Sequence, residues 1–193
     1  DVRRAIWILG ARIDQIELTV SNCPVCLRCR VVVHHGAVWP RRRNCGKAEI
    51  AQVAGFCSEG SQAFGGIDHL VNNAAIFGDM EGVGITTADP AYVETFIRVN
   101  VLGATYCTRA VVPSMRERGG GSIVNQSSTA AWMSLSGFYG VAKAALNSVT
   151  VCLAQELGSQ HIRVNAIAPG PTDTPAMQKQ VPAEFHDMLV QSL

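Results

Sequence analysis

The chain has 193 residues, 48% of them apolar and 16% charged, and its 16 Lys/Arg against 15 Asp/Glu leave a net charge of +1. That length and apolar content support one domain with a sizeable core, and the near-neutral balance argues against a dedicated nucleic-acid binder. No run approaches eighteen consecutive apolar residues, and residues 5–11 are too short and too soon interrupted by Arg12 and Asp14 for a signal peptide, so a cytoplasmic protein is expected.

Composition changes along the chain. Residues 1–60 hold five of the seven cysteines and a net charge of +4, whereas residues 67–193 carry −3. The shift marks a boundary near Ser58, separating a divergent segment, 1–57, from a second unit, 58–193. In the first, Cys23-Pro-Val-Cys26-Leu-Arg-Cys29 has a thiolate spacing that suits zinc or an iron–sulfur cluster, with His34, His35 and Cys45 as further candidate ligands. It lacks the second spaced pair of a zinc ribbon and the C-x-x-x-C-P ending of a ferredoxin run, so a metal module is the lesser reading and no metal is expected. The basic residues Arg28, Arg30, Arg41, Arg42, Arg43 and Lys47 belong to no recognisable module and read as solvated surface.

Beyond the boundary the pattern becomes regular. Ile67-Asp-His-Leu-Val-Asn-Asn-Ala-Ala75 starts apolar and ends in a polar turn, as a buried strand would. Asp89 as N-cap with Pro90 at the first helical position opens a helix whose stripe is Val93, Phe96, Ile97, Val101, Ala104, Cys107 and Val111. Asn100 sits in that stripe and must find hydrogen-bond partners there, while Pro113 should kink the helix or start its final turn. A second strand-like run, 122–128, ends in Ser127-Ser128. A second helix follows, with Ala142, Ala145, Val149, Cys152 and Leu153 at core spacing and Gly158 as its C-cap. Cys107 and Cys152 accordingly read as buried thiols. The third run, 162–174, leads into Pro169-Gly170 and the threonines Thr172 and Thr174.

Strand–helix–strand–helix–strand implies a parallel sheet with crossover helices, and in such sheets ligands collect along the edge formed by the carboxyl ends of the strands. Asn72, Ser128 and the Pro169-Gly170 loop are therefore expected to converge. Tyr139 and Lys143, one helical turn apart, share a face. A lysine beside a phenol favours the phenolate, so the pair is a candidate acid/base device with the tyrosine pKa pulled down from about 10. The competing reading is an incidental aromatic and a solvated lysine on a surface helix.

The neighbours favour the first reading. Asn-Asn-Ala-Ala, mid-helix Asn100, the serine pair, Tyr139-x-x-x-Lys143 and Pro169-Gly170-x-x-x-Thr174 occur together in an order and spacing that resemble the short-chain dehydrogenase/reductase family, over roughly two-thirds of the chain. The resemblance implies a doubly wound, Rossmann-like α/β fold and NAD- or NADP-dependent hydride transfer between a secondary alcohol and a ketone. By it, Tyr139 would hand a proton to the carbonyl oxygen, Ser128 would hydrogen-bond that oxygen, and Lys143 would hold the nicotinamide ribose. Asn100 would anchor a water leading to Lys143. Asn72 and Ala74 would wall the adenosine, and Pro169, Gly170, Thr172 and Thr174 would border the cofactor with Tyr139 and Lys143. The resemblance also implies a homodimer or homotetramer built on the two long helices.

The match has departures. Ser128 precedes Tyr139 by eleven residues rather than the family's thirteen or so, which leaves Ser127 as an alternative, pointing to the other side of an extended segment. The turn ends in alanine instead of glycine, which requires that its backbone avoid positive φ. The front end shows no glycine-rich phosphate turn: after the apolar residues 5–9 come Gly10, Ala11 and Arg12, but Asp14 and Ile16 stand where further glycines are expected. The family's last helix and strand would follow Leu193, so the domain is expected to be incomplete. Trp132, Met133 and Phe138 could line an apolar substrate pocket or belong to the core.

Overall fold

In the computed structural model the described residues are 21–22, 30–34, 65–77 and 84–180. They form a five-stranded sheet, β1 (Ser21–Asn22), β2 (Arg30–His34), β3 (His69–Asn72), β4 (Gly121–Gln126) and β5 (Ile162–Ile167), in spatial order β1-β2-β3-β4-β5. β1 and β2 pair antiparallel, and every other pairing is parallel. The three expected strands are present, and β2 joins them from the segment that carried no expected strand. The cysteines Cys23, Cys26, Cys29 and Cys45, with His35 and the 10–16 turn, lie outside the described residues. Among the described residues no group of three His, Cys, Asp or Glu could hold a metal.

Helix α1 (Pro90–Ile97) begins as anticipated, with the Asp89 carboxylate accepting from Ala91 N at 2.7 Å and Tyr92 N at 3.3 Å. The apolar stripe predicts one continuous helix, but the chain inserts a wider π-turn at Arg98–Leu102, where Gly103 N bonds Arg98 O, before α2 (Gly103–Glu117) resumes. Pro113 lies inside α2, which runs on one further turn. Helix α3 (Gly137–Leu157) does not use Gly158 as a left-handed cap: Gly158 stays helical at φ −58°, a 3₁₀ turn follows, and His161 takes the left-handed conformation at φ 58°. A short α4 (Pro175–Gln180) closes the described region.

Both long helices lie on one face of the sheet. Their packing forms the main core, in which Leu70, Ile123, Ile162 and Val164 of the strands meet Cys107, Val111, Val112 and Met115 of α2 and Leu157 of α3. Fully burying a side chain of this size contributes about 1.5–3 kcal/mol. A second cluster of Phe96, Val101 and Ala142 takes in Ile76, Phe138 and Tyr139. Cys107 is buried as expected, but Cys152 is exposed. The buried stripe of α3 is Lys143, Leu146, Thr150 and Leu157; Cys152 is nine residues from Lys143, which at about 100° per residue puts it on the opposite side. Gly120 is required where α2 meets β4: its φ is +140°, and a Cβ there would lie 2.5 Å from His161 O.

By length and apolar content, Gly137–Gln160 would suffice to cross a membrane. It is the helix that packs on β4 and β5 and buries Lys143.

Candidate active site

The parallel register aligns the strand ends. Asn72 pairs with Asn125, and Gln126 with Ile167, so β3, β4 and β5 finish along one edge. Beyond it, Ser127 N donates to Ile167 O at 2.7 Å and Thr129 N to Pro169 O at 3.0 Å, which seats the serine turn against the Pro169-Gly170 loop.

The two serines part company here. Ser128 is extended (φ −164°, ψ 153°) and caps a 3₁₀ turn, Thr129–Trp132, its hydroxyl accepting from Ala130 N at 3.1 Å. The same hydroxyl lies near enough to Tyr139 to act on its phenol. Ser127 points inward, 2% exposed, and its hydroxyl has no hydrogen-bond partner. Period-two alternation along an extended segment accounts for the difference.

Tyr139 and Lys143 occupy the first turns of α3. The Lys143 ammonium lies 5.5 Å from the Tyr139 ring centroid and donates to Gln126 O at 2.5 Å. Lys143 is 2% exposed, and burial brings its pKa down from 10.5 to about 8. The tyrosine shifts opposite to expectation: burial pushes its phenol above the usual 10, and the nearby Ser128 hydroxyl only partly counters this. Lys143 directs its charge to a backbone carbonyl instead, so desolvation outweighs the helical neighbour. Phe77, which the sequence did not single out, lies against the phenol with ring centroids 4.9 Å apart.

Asn100, on the π-turn and 2% exposed, satisfies both its amide groups on one residue: Ile76 N donates to its Oδ1 at 2.6 Å, and its Nδ2 donates to Ile76 O at 3.2 Å. This staples the segment after β3, carrying Ala74 and Phe77, to the helix. Asn72 faces the interior, its Nδ2 donating to Asn125 Oδ1 at 2.8 Å while its Oδ1 stays unpaired. Ala74 and Ala75 have negative φ, as alanine requires. Thr172 Oγ1 donates to Gly170 O at 3.2 Å, and Thr174 caps α4 by accepting from Met177 N at 3.2 Å. Trp132 and Met133 are exposed, at 71% and 46%, so neither is core, whereas Phe138 packs into the second cluster. A groove lined by Val93, Glu94, Ile97, Arg98 and Leu102 contains none of the sequence-predicted site residues.

The edge thus gathers a phenol, an ammonium 5.5 Å from its ring and a serine hydroxyl on the adjoining turn. An ammonium carries three donors, and Gln126 O takes one, so Lys143 suits the hydroxyls of a sugar. On this side the residues fit a nicotinamide nucleotide; the pyrophosphate side falls outside the described residues.

The family model described as enoyl-(acyl carrier protein) reductase matches residues 40–192. An uncharacterised oxidoreductase of Mycobacterium tuberculosis is 54% identical over 131 residues, 68% of this chain and 52% of that protein. A 3alpha-hydroxysteroid dehydrogenase of Mediterraneibacter gnavus is 38% identical over 128 residues, 65% of this chain and 50% of that one. A crystal structure of a gluconate 5-dehydrogenase from Burkholderia cenocepacia, in complex with NADP and tartrate, superposes with a TM-score of 0.68 at 30% identity, covering 75% of this chain and 56% of that one. The chain spans about half the length of these curated relatives. Its sheet order, the strand-end site and these matches converge on one conclusion: the fold is Rossmann-type α/β, and the chain belongs to the short-chain dehydrogenase/reductase family.

Proposed function

We propose that this chain carries the reaction half of an NAD- or NADP-dependent oxidoreductase that interconverts a secondary alcohol and a ketone, with Ser128, Tyr139 and Lys143 as its working groups and Asn100 as their support. The observation that carries the reading is the meeting of Ser128 and Tyr139 beside the buried Lys143 ammonium. When bound, the nicotinamide would supply or accept the hydride. In the reducing direction Tyr139 gives its proton to the carbonyl oxygen and Ser128 donates a hydrogen bond to it, stabilising the charge that develops there. Because burial raises the phenol pKa, Tyr139 is protonated at neutral pH and is poised as the acid. The ammonium, close to the ring, stabilises the phenolate left after proton transfer. Lys143 and Tyr139 would hold the nicotinamide ribose, Asn72 and Ala74 would border the adenosine, and Pro169, Gly170, Thr172 and Thr174 would line the nicotinamide side.

The proposal includes a small-molecule substrate, a cytoplasmic location, and a homodimer or homotetramer formed through the long helices, where Val141 and Val151 of α3 are exposed. The division at Ser58 is retained as the proposed domain organisation. An inactive, structural member of the family is the alternative. Turnover of a panel of aromatic and alicyclic ketones with NADH and NADPH, with circular dichroism on Tyr139→Phe, separates the two. Activity in the native protein that vanishes in a folded Tyr139→Phe supports the enzyme; turnover surviving the substitution overturns the assignment.

A further inference from the structure

Behind the reacting groups runs a buried chain of hydrogen bonds that the reaction itself does not use. Asn72 Nδ2 donates to Asn125 Oδ1 at 2.8 Å, Asn125 Nδ2 donates to Thr150 Oγ1 at 2.9 Å, and Thr150 Oγ1 donates to Leu146 O at 2.8 Å. The three residues are 5%, 0% and 7% exposed. The chain therefore joins β3 to β4 and β4 to α3 through the interior. Asn125 precedes Gln126, whose carbonyl receives the Lys143 ammonium, and lies three residues before Ser128.

We infer that Thr150 is a positioning residue, which with Asn125 fixes where α3 stands along β4 and so holds Tyr139 and Lys143 opposite Ser128. The inference rests on the site proposed above. Thr150 lies seven residues beyond Lys143 on the same buried stripe, which at 1.5 Å per residue separates the two tethers by about 10 Å along the axis. A helix held at one point can slide and pivot; held at two points on adjacent strand residues it can do neither. Valine would fill the space of Thr150 and pack as well in an apolar stripe, so what threonine adds is the acceptor for Asn125. Without it a buried carboxamide N–H has no partner, and the strain falls on the contact between α3 and β4. Catalytic groups must be held to about 0.5 Å, so a small helix shift registers in the chemistry before it disrupts the fold.

The test compares Thr150→Val, which removes the hydroxyl, with Thr150→Ser, which keeps it. One readout is the kcat-against-KM split on the ketone that the native protein turns over best. The other does not depend on turnover: with only Lys47, Lys143 and Lys179 in the chain, NMR of 13C-labelled lysine follows the titration of Lys143 directly. Thr150→Val should lower kcat about tenfold with KM nearly unchanged, the scale expected of a displaced catalytic group. It should also move the Lys143 midpoint up from about 8, and Thr150→Ser should restore both. An unshifted Lys143 with unchanged kcat, alongside a lowered denaturation midpoint, would reduce Thr150 to an ordinary core residue and overturn the inference. If the native protein shows no turnover, the site reading fails, yet the Lys143 titration still decides the tether. Should Thr150→Val fail to fold, Thr150→Ala removes the same acceptor, and an unmoved Lys143 there overturns the inference equally.

Discussion

Lys143 should make the protein more stable as the solution becomes more alkaline. Its ammonium is almost fully buried with one carbonyl partner, and folding lowers its pKa from 10.5 to about 8. Between those values the unfolded chain holds a proton that the folded chain releases, so stability rises with pH. The penalty of burying the charge is greatest below pH 8 and is gone above 10.5. At about 1.4 kcal/mol per unit, the gain between pH 8 and pH 10 is about 2 kcal/mol. Tyr139, raised by burial, keeps its proton in the folded chain while the unfolded phenol begins to lose its own near 10, which offsets a little of the gain at the top of that window. Urea denaturation of the native protein and Lys143→Met, followed by circular dichroism with reductant present, isolates the effect, because other titrating groups cancel in the difference. Lys143→Met should be the more stable protein at neutral pH, with its advantage shrinking by about 2 kcal/mol at pH 10. Two stability curves that stay parallel from pH 7 to 10 would refute the reasoning.

Asn100→Leu, which strands both backbone groups of Ile76, should cost about 2 kcal/mol in urea denaturation; a loss under about 0.5 kcal/mol would mean that the staple is not needed. Ser128→Ala should cut turnover strongly. Ser127→Ala, which removes a buried hydroxyl with no partner, should leave turnover and stability nearly intact, and the reverse ranking in paired rate measurements would move the catalytic serine by one position. In a fluorescence titration NADH and NADPH should bind no better than about millimolar, since a missing glycine turn forfeits charge-assisted bonds to the pyrophosphate. Micromolar binding would locate a phosphate site within residues 1–57.

The strands and long helices were legible because burial imposes a period on the residues, and Asp89-Pro90 punctuates a helix start by its own chemistry. The Tyr139–Lys143 pairing was legible for the same reason, as a spacing on a helix. The π-turn was not, since one extra residue in a turn leaves an apolar stripe readable as continuous. The direction of the Tyr139 shift was hidden as well: it depends on Phe77 and the second cluster enclosing the phenol, and on Lys143 turning to Gln126, all contacts distant in sequence. Thr150 left one trace, a hydroxyl in an apolar stripe seven residues after the lysine. Its partner could be found only once β4 was placed against α3.

The wide turn at Arg98–Leu102 makes the helix around it a poor place to shorten. Deleting Val99 would let the backbone close into an ordinary α-helix with a full set of bonds, which looks like a gain. A wide turn spends one more residue on about the same rotation, so closing it would leave Phe96 and α2 facing much as they do now. What the deletion would forfeit is the wide turn itself, on which Asn100 reaches Ile76. The surplus residue is in effect a local swelling, which lifts one side chain off the ordinary helical spacing without re-aiming the rod on either side.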